Sequence, residues 1–324
     1  MKVCIYGAGA IGGWMGVKLA RAGCELSAVT RGETLRVLQR EGLRLEQDGE
    51  TLGAPVKASA HPADFGAQDL VVVAVKATAM AEVAKAIAPL LGPHTVVLTA
   101  MNGVPWWFFE GFGGRYAGTR LKAVDADGGI ARAVPARHII GCVVHASCSL
   151  DGPGRVRRHF GNKLIIGEPS GEKTARVREL AALLEKAGFE AVVSDQIQKD
   201  AWYKLWGNMT MNPISAITGA TTDRVLDDEL VRRFIHSVMM EAKEIGARIG
   251  IPIDQTPEDR HVVTRKLGAF KTSMLQDVEA GKAVELDTLV TVVKELGELT
   301  QVPTPFTDAL LGLARLHARV RGLY

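Results

Sequence analysis

A glycine-rich turn near the start of the chain constrains the fold more than any other feature of the sequence. Gly7-Ala8-Gly9-Ala10-Ile11-Gly12 follows a β-branched run, Val3–Tyr6, and opens a helical stretch. In that context the first glycine permits a tight turn, the second lets the backbone approach a pyrophosphate, and the third lets helix and strand pack closely. The helix N-terminus adds N–H groups and a partial positive charge. The motif predicts a dinucleotide-binding site, and the plain alternative is a glycine-rich turn without a ligand.

Short β-branched runs alternate with helical stretches up to about residue 195. The strand-like runs are Val3–Tyr6, Leu26–Thr30, Leu70–Val75, Thr95–Thr99, Ile139–Ser147 and Ala191–Ser194, and the helical stretches are Gly12–Ala22, Thr34–Arg40, Met80–Leu91 and Ala175–Ala187. Strands that alternate with helices indicate a mainly parallel sheet with crossover helices.

The character of the sequence changes near Gln196, where strand-like runs nearly vanish. The helical patterns that follow are Gln198–Met211, Asp228–Gly250, Pro257–Gly268, Ala283–Thr300 and Thr307–Arg321. The length of 324 residues also favours two domains. We therefore predict an α/β fold, with an N-terminal Rossmann-type dinucleotide-binding domain over 1–195 and an all-α C-terminal domain over 196–324.

Composition excludes several classes of partner and site. The chain has 39 Lys and Arg against 36 Asp and Glu, a net charge of +3, and no long block of like charges. This balance predicts no nucleic-acid or membrane partner. The four cysteines, Cys4, Cys24, Cys142 and Cys148, form no CxxC pair. We therefore expect reduced, mostly buried thiols in a cytoplasmic protein, without a disulfide frame or a metal site.

The end of the second predicted strand points to the kind of dinucleotide. Sites that prefer NAD place Asp or Glu there to accept from the ribose 2′-OH, whereas a nearby Arg can receive a 2′-phosphate. Here the strand is followed by Arg31, which predicts NADP(H), unless Arg31 is only an exposed surface residue. Lys76 and Asn102-Gly103 follow two further strands at the edge where ligands gather, although Lys76 could be solvated and Asn-Gly could simply form a turn.

A polar ladder follows in the first helix of the C-terminal half. Lys204, Asn208 and Asn212 recur every four residues, so each step rotates only about 40° and the three side chains share one helix face. The rest of this helix is apolar, and buried polar groups must find partners, either in a polar substrate or in a helix–helix hydrogen-bond network. A partly desolvated lysine suits proton donation near pH 7, and a cation stabilises the negative charge that hydride transfer places on a ketone oxygen.

Taken together, these motifs resemble the ketopantoate reductase (2-dehydropantoate 2-reductase) family along almost the entire chain. The resemblance is carried by the glycine motif, Arg31, Val75-Lys76-Ala77, Asn102-Gly103, Trp202-x-Lys204-x3-Asn208-x3-Asn212-Pro213, Ser273-Met274-Leu275-Gln276-Asp277 and Glu285-Leu286-Asp287. It implies a Rossmann domain followed by a helical domain, NADPH as hydride donor, and reduction of ketopantoate to pantoate in pantothenate biosynthesis.

The resemblance also implies a role for each matching residue. Lys204 is implied to be the general acid, and the implied substrate contacts are Asn102, Asn208, Asn212, Ser273 and Glu285. The resemblance further implies that Glu285 pairs with Lys204 and a substrate hydroxyl, and that Ser273 contacts the substrate carboxylate. It also implies that Asn102 and Lys76 lie near the cofactor. Without the resemblance, Ser273 could be a helix N-cap and Glu285 one acid of a solvated helix.

Two positions depart from the family's pattern. The family often has an Asn-Gly pair where Val290-Thr291 stands here, and an amide where Thr222 stands. Four adjacent aromatics, Trp106-Trp107-Phe108-Phe109, follow Asn102; core packing explains them, and with Val290 they could instead enlarge an apolar acid pocket. The alternatives are therefore a reductase or dehydrogenase of another 2-oxo or hydroxy acid, or a non-catalytic NADP-binding sensor. The expected partners are a small 2-oxo acid and a second copy of the chain.

Overall fold

The computed structural model describes residues 1–324 and divides into two compact units. Unit 1 consists of Met1–Met101 with Gly128–Asp200, and unit 2 consists of Asn102–Asp127 with Ala201–Tyr324. This division differs from the predicted single boundary at residue 195. The last break lies between Asp200 and Ala201. The segment from Asn102 to Asp127 groups with the helical unit, because its side chains Phe108, Phe109 and Leu121 are packed into that unit's hydrophobic core.

Unit 1 is built on a ten-stranded sheet. Its strands are β1 (Lys2–Tyr6), β2 (Glu25–Val29), β3 (Leu43–Gln47), β4 (Glu50–Ala54), β5 (Lys57–Ser59), β6 (Gln68–Val73), β7 (Leu91–Thr99), β8 (Ile139–Gly152), β9 (Arg155–Gly167) and β10 (Glu190–Val193). The order is β4-β3-β9-β8-β7-β6-β1-β2-β5, and β10 also pairs with β9. Only β3–β4 and β8–β9 are antiparallel. The predicted α/β fold with a mainly parallel sheet is confirmed.

The central strands of this sheet form where short β-branched runs are buried on both faces. In β6 every residue from Leu70 to Val73 is fully buried, as expected of a parallel strand covered on both sides. The helices of this unit are α1 (Ala10–Arg21), α2 (Gly32–Glu41), α3 (Met80–Ala86), α4 (Gly129–Ala133) and α5 (Ala175–Lys186). The indole of Trp14 on α1 meets Phe189 edge-on at a centroid distance of 4.8 Å.

Four strands, β3, β4, β5 and β9, were not predicted. In β3 only Leu43 and Leu45 are fully buried, while Arg44 between them is exposed. The longer strand β9 carries Arg155, Arg157 and Arg158 in its first half. Such half-exposed strands pair in the sheet through their backbone but lack a continuous apolar run. Because the strands were predicted from short β-branched runs, these four were missed.

The cysteines are free thiols. Cys4 and Cys142 are buried, and Cys24 and Cys148 are half-buried. Burial raises the pKa of Cys4 to about 11 and that of Cys148 to about 12. These two thiols are therefore protonated near neutral pH and are weak nucleophiles.

Unit 2 is helical. Its elements are α6 (Ile197–Thr218, from Ala201 on), α7 (Thr222–Asp227), α8 (Glu229–Arg248), α9 (Pro257–Arg265), α10 (Ser273–Glu279), a π-helical turn (Asp287–Thr291), α11 (Val292–Thr300) and α12 (Pro305–Val320). Helix α6 runs past Pro213, beyond its predicted end at Met211. The fully buried indole of Trp206 in α6 donates to the carbonyl of Met239 in α8 at 2.7 Å, which joins the two longest helices. No helix in the structure combines the length and the apolar character that a membrane span requires.

A buried lysine joins helix α1 to strand β9 and to the turn before β10 in unit 1. Lys18 of α1 is only 8% exposed, and its Nζ donates to Asn162 Oδ1 at 2.8 Å and to the Gly188 carbonyl at 2.7 Å. The ammonium also lies 4.4 Å from the ring centroid of Phe189. Burial, with a smaller contribution from the nearby cation Arg158, lowers the pKa of Lys18 to about 8.

This lowered pKa predicts a pH-dependent contribution to stability. The pKa of Lys18 is 10.5 in the unfolded chain and about 8 in the folded chain, so between these two pH values the unfolded chain binds more protons. The free energy of unfolding of the wild type should therefore increase, relative to that of Lys18→Met, as pH rises from about 8 to 10.5. The gain should reach at most about 3 kcal/mol. Urea unfolding of both proteins at several pH values measures it, with the exposed Lys186→Met as control. A stability difference that stays constant from pH 7 to pH 10 would contradict the assignment.

Candidate active site

The glycine-rich turn of unit 1 depends on three glycines for three different reasons. Gly7 has φ +98°, and a Cβ there would lie 2.6 Å from Val75 Cγ1. A Cβ on Gly12 would lie 2.1 Å from the Gly7 carbonyl oxygen, so only glycine lets α1 pack on this turn. At Gly9, by contrast, an added Cβ would meet no atom within 4 Å. The turn is therefore closed at Gly7 and Gly12 and open at Gly9, the position that was predicted to face a pyrophosphate.

The turn lies where the strand order of the sheet reverses. Strand β1 pairs with β2 on one side and with β6 on the other, all parallel, so the carboxyl ends of these strands share one edge. Ligands of open α/β sheets bind at such a switch point. Helix α1 begins at Ala10 with no acidic residue in its first turn and no side chain capping its N–H groups. This arrangement fits a dinucleotide pyrophosphate, since the first N–H groups of a helix lack intrahelical acceptors.

Two cations of unit 1 follow strands at this same edge. Arg31 comes two residues after β2, where it precedes α2, and its exposed guanidinium makes no salt bridge. Lys76 comes three residues after β6 and is half-buried. The backbone brings the glycine turn, Arg31 and Lys76 to one edge of the sheet, as the sequence predicted.

In unit 2 the predicted general acid contacts a predicted ligand-binding amide. Lys204 Nζ donates to Asn102 Oδ1 at 2.8 Å, and both side chains are half-buried. The segment that carries Asn102 is fixed by its next two residues. The N–H of Val104 donates to the Thr288 carbonyl at 2.9 Å, and Gly103, with φ +83°, approaches so closely that a Cβ would lie 2.4 Å from that oxygen.

The polar ladder of α6 lies as the helical period predicts, with Lys204 and Asn208 half-buried and Asn212 only 5% exposed. Asn212 Nδ2 donates to Ser273 Oγ at 3.4 Å. The N-cap of α10 is Thr272, whose hydroxyl accepts from the Leu275 N–H, so the alternative of a capping role for Ser273 is wrong. The exposed Ser273 hydroxyl is thus available beside Asn212.

The remaining acid of the predicted set precedes an irregular stretch of helix. Glu285 is half-buried and lies two residues before the π-helical turn that begins at Asp287. Turns of this kind are frequent at functional sites. The turn supplies Thr288, a residue that the sequence analysis did not single out. Its carbonyl holds Val104, and its hydroxyl is buried without a hydrogen bond. Only the contact with Gly103, which is distant in sequence, identifies it.

Both departures from the family's pattern have structural roles. Val290 is fully buried in the hydrophobic core of unit 2, together with Phe108 and Phe109. Thr222 is buried at the start of α7, where its hydroxyl donates to the Gly268 carbonyl at 2.8 Å. Core packing therefore accounts for Val290 and for these aromatic residues, and a local hydrogen bond accounts for Thr222. No group of three or more His, Cys, Asp or Glu side chains in the chain could hold a metal ion.

Comparison with known proteins relates this arrangement to one family. The family model described as "Ketopantoate reductase PanE/ApbA" matches residues 3–171, and that of "Ketopantoate reductase PanE/ApbA C terminal" matches residues 196–318. A 2-dehydropantoate 2-reductase of Mesorhizobium japonicum is 47% identical over 325 residues, which cover 100% of both chains. A solved structure of a candidate ketopantoate reductase from Ralstonia solanacearum MolK2 is 55% identical over 99% of each chain, with a TM-score of 0.94.

A further solved structure shares the fold alone. It is a D-mandelate dehydrogenase, solved with NADH and anilino(oxo)acetate, that is 21% identical over 100% of each chain, with a TM-score of 0.85. The two family models and the 47% identical relative decide the classification. The chain therefore belongs to the ketopantoate reductase family and is an oxidoreductase that acts on CH–OH groups.

Proposed function

We propose that the protein reduces the keto group of a small 2-oxo acid with NADPH, and that the substrate is 2-dehydropantoate, which gives pantoate. The observation that carries the proposal is the 2.8 Å hydrogen bond from Lys204 Nζ to Asn102 Oδ1. A half-buried lysine oriented by an amide provides a cationic acid, which reduction of a ketone requires. The choice of acid rests on the names of the relatives.

We assign cofactor binding to the glycine-rich turn, Arg31, Lys76 and Asn102. The backbone from Gly7 through Ala8, Gly9, Ala10 and Ile11 to Gly12 holds the pyrophosphate, and Arg31 receives the 2′-phosphate. Lys76 and Asn102 bind near the nicotinamide end. NADPH, when bound, supplies a hydride to the keto carbon. Support comes from the open backbone at Gly9 and from the exposed, unpaired guanidinium of Arg31.

The chemical step is assigned to residues of unit 2. Lys204 donates a hydrogen bond to the keto oxygen, stabilises the negative charge that develops there, and then transfers its proton to that oxygen. Asn102 fixes the lysine, and Glu285 pairs with it and with a substrate hydroxyl. Asn208, Asn212 and Ser273 orient the acid. The lysine leaves the step neutral, so the 2-hydroxy acid has gained one hydride and one proton.

A protein that binds NADP without catalysing a reaction, a redox sensor, is the competing proposal. The polar ladder on α6 argues against it, since nucleotide binding alone gives no reason to keep a half-buried lysine bonded to an amide.

The proposed assembly is a homodimer. Leu313, Leu316 and Val320 of α12, which are 61%, 62% and 80% exposed, form an apolar row that favours association. Light scattering at several concentrations tests this, and a strictly monomeric mass would contradict it.

The experiment that tests the function is NADPH consumption at 340 nm with a panel of 2-oxo acids. We expect turnover of 2-dehydropantoate. Because Val290 and Thr222 supply no amide to a substrate, we also expect faster turnover of at least one bulkier or less hydroxylated acid. If no acid causes NADPH to be consumed, the protein is not a reductase of these acids, and the NADP-binding sensor becomes the better proposal. A hundredfold or greater preference for 2-dehydropantoate over every other acid would show that the two departures do not affect selectivity.

Arg31 predicts the choice of cofactor. Arg31→Ala should weaken NADPH binding by about one to two orders of magnitude, because it removes a charge-assisted phosphate contact of about 1.5–3 kcal/mol. NADH binding should hardly change. Fluorescence titration of both cofactors measures this, and Arg40→Ala, at an exposed arginine near the end of α2, is the matched control. Equal losses for NADPH and NADH would show that Arg31 does not bind the 2′-phosphate.

Lys204 predicts the rate. Lys204→Ala should lower kcat by at least roughly a thousandfold, since it removes both the proton donor and the charge that stabilises the alkoxide. NADPH affinity should change little, and wild-type reduction should fail as pH rises through the pKa of the acid. Steady-state kinetics checks this against Lys199→Ala, an exposed lysine of the same helix. If the folded Lys204 variant keeps more than a tenth of kcat, the acid lies elsewhere, and Lys76 is the next candidate.

A further inference from the structure

Arg260 of α9 lies against helix α6 in an unusual setting. Its guanidinium carbon lies 5.4 Å from the ring centroid of Tyr203. On the helix itself it packs against Gly207, where a Cβ would lie 2.8 Å from Nη2 and 2.9 Å from Nε. The absence of a side chain at Gly207 therefore creates the space that this guanidinium occupies.

No anion balances this cation. Arg260 makes no salt bridge and no side-chain hydrogen bond, and its Nε is sealed from solvent without an acceptor. The adjacent acids of α9 have other partners: Glu258 accepts from His236 at 2.9 Å, and Asp259 forms a capping box with Thr256. Burial lowers the pKa of Arg260. Arg260 is half-buried, and a partly desolvated guanidinium without a counter-ion is a favourable site for an anionic ligand.

The location connects Arg260 with the proposed catalytic residues. Tyr203 and Gly207 are the residues one before and three after Lys204 on α6. At about 100° per residue, Gly207 lies roughly 60° around the helix axis from Lys204, whereas Asn208 lies roughly 40° in the opposite direction. The guanidinium therefore borders the polar face of α6 on the side away from Asn208 and Asn212.

We propose that Arg260 binds a carboxylate of the substrate. Its planar fork of N–H donors matches a carboxylate, and a 2-oxo acid always carries at least one. The sealed Nε leaves the terminal Nη groups as the part that a ligand can reach, since these are not sealed. The proposal rests on the proposed function and assigns a carboxylate contact to Arg260 in place of the one implied for Ser273, which offers only a neutral hydroxyl.

The test compares Arg260→Met, which keeps the bulk and removes the charge, with Arg260→Lys and with the control Arg265→Gln. Arg265 lies on the same helix and has a surface partner, Asp227, at 2.7 Å. We expect Arg260→Met to raise KM by at least roughly tenfold, with kcat within about threefold and the KM for NADPH unchanged. Arg260→Lys should recover part of the loss. An increase for all 2-oxo acids assigns the 2-carboxylate, and an increase confined to dicarboxylic ones assigns a second carboxylate.

A structural role for Arg260 predicts a different outcome. If the guanidinium only packs on Tyr203, Arg260→Met should lower the Tm and leave every KM within about twofold, which would overturn the proposal. If Arg260 instead binds a ligand, the ligand-free Arg260→Met protein should unfold at the same or a higher temperature than the wild type, because a partly desolvated cation without a counter-ion has been removed.

A binding measurement separates this proposal from the proposed function. Oxamate carries a carboxylate beside an amide and is not reduced, and oxamide is its uncharged analogue. Thermal unfolding with and without NADP⁺ should show stabilisation of the wild type by oxamate, no stabilisation of Arg260→Met, and no effect of oxamide on either. That result supports Arg260 even if the wild type reduces no acid. No response of the wild type to oxamate would overturn the proposal even if reduction is observed.

Discussion

The position of Asn102 depends on one close backbone approach, that of Gly103 to the π-helical turn at Thr288. The left-handed φ of Gly103 and its lack of a Cβ let the Val104 N–H reach the Thr288 carbonyl at 2.9 Å. A side chain there would meet that carbonyl oxygen at 2.4 Å and push the segment away. Asn102, one residue earlier, would then lose its 2.8 Å hydrogen bond from Lys204. The segment around Gly103 is thus joined to the π-helical turn through the Val104 N–H, and to α6 through the hydrogen bond between Asn102 and Lys204.

The same anchor explains why the segment after β7 belongs to the helical unit. Once Asn102–Val104 is attached to the π-helical turn, the residues that follow pack Phe108 and Phe109 into the core beside Trp202, at a Phe108–Trp202 centroid distance of 6.2 Å. Burying such large rings stabilises the segment by several kcal/mol in order of magnitude. Phe108 and Phe109, which could have lined a ligand pocket, are instead the apolar support of the loop that presents Asn102.

The sequence predicted the features that depend on local geometry. The roles of Gly7 and Gly12 in the turn follow from covalent geometry within one strand–turn–helix unit, and the common face of Lys204 and Asn212 follows from the helical period. Features decided by contacts between distant residues could not be read in this way. They include the transfer of 102–127 to unit 2, the half-exposed strand β9 and the unpaired Arg260, which depends on space at Gly207. For Ser273 the sequence left two roles open, a helix N-cap and a ligand contact. The structure places Thr272 at the N-cap, which leaves the Ser273 hydroxyl free of that role.

Two cations, buried Lys18 and half-buried Arg260, pay a desolvation cost that has a different explanation in each case. Lys18 and Arg260 both pack on aromatic rings and both have a lowered pKa through burial. Lys18 donates to two neutral acceptors, Asn162 and the Gly188 carbonyl, so its hydrogen bonds are made inside unit 1 and join α1 to the sheet, although burial disfavours its charge. Arg260 has no acceptor. Desolvation disfavours the charged form of both side chains, but only Lys18 has acceptors within the fold, so acceptors for Arg260 must come from solvent or from a ligand at its open Nη groups.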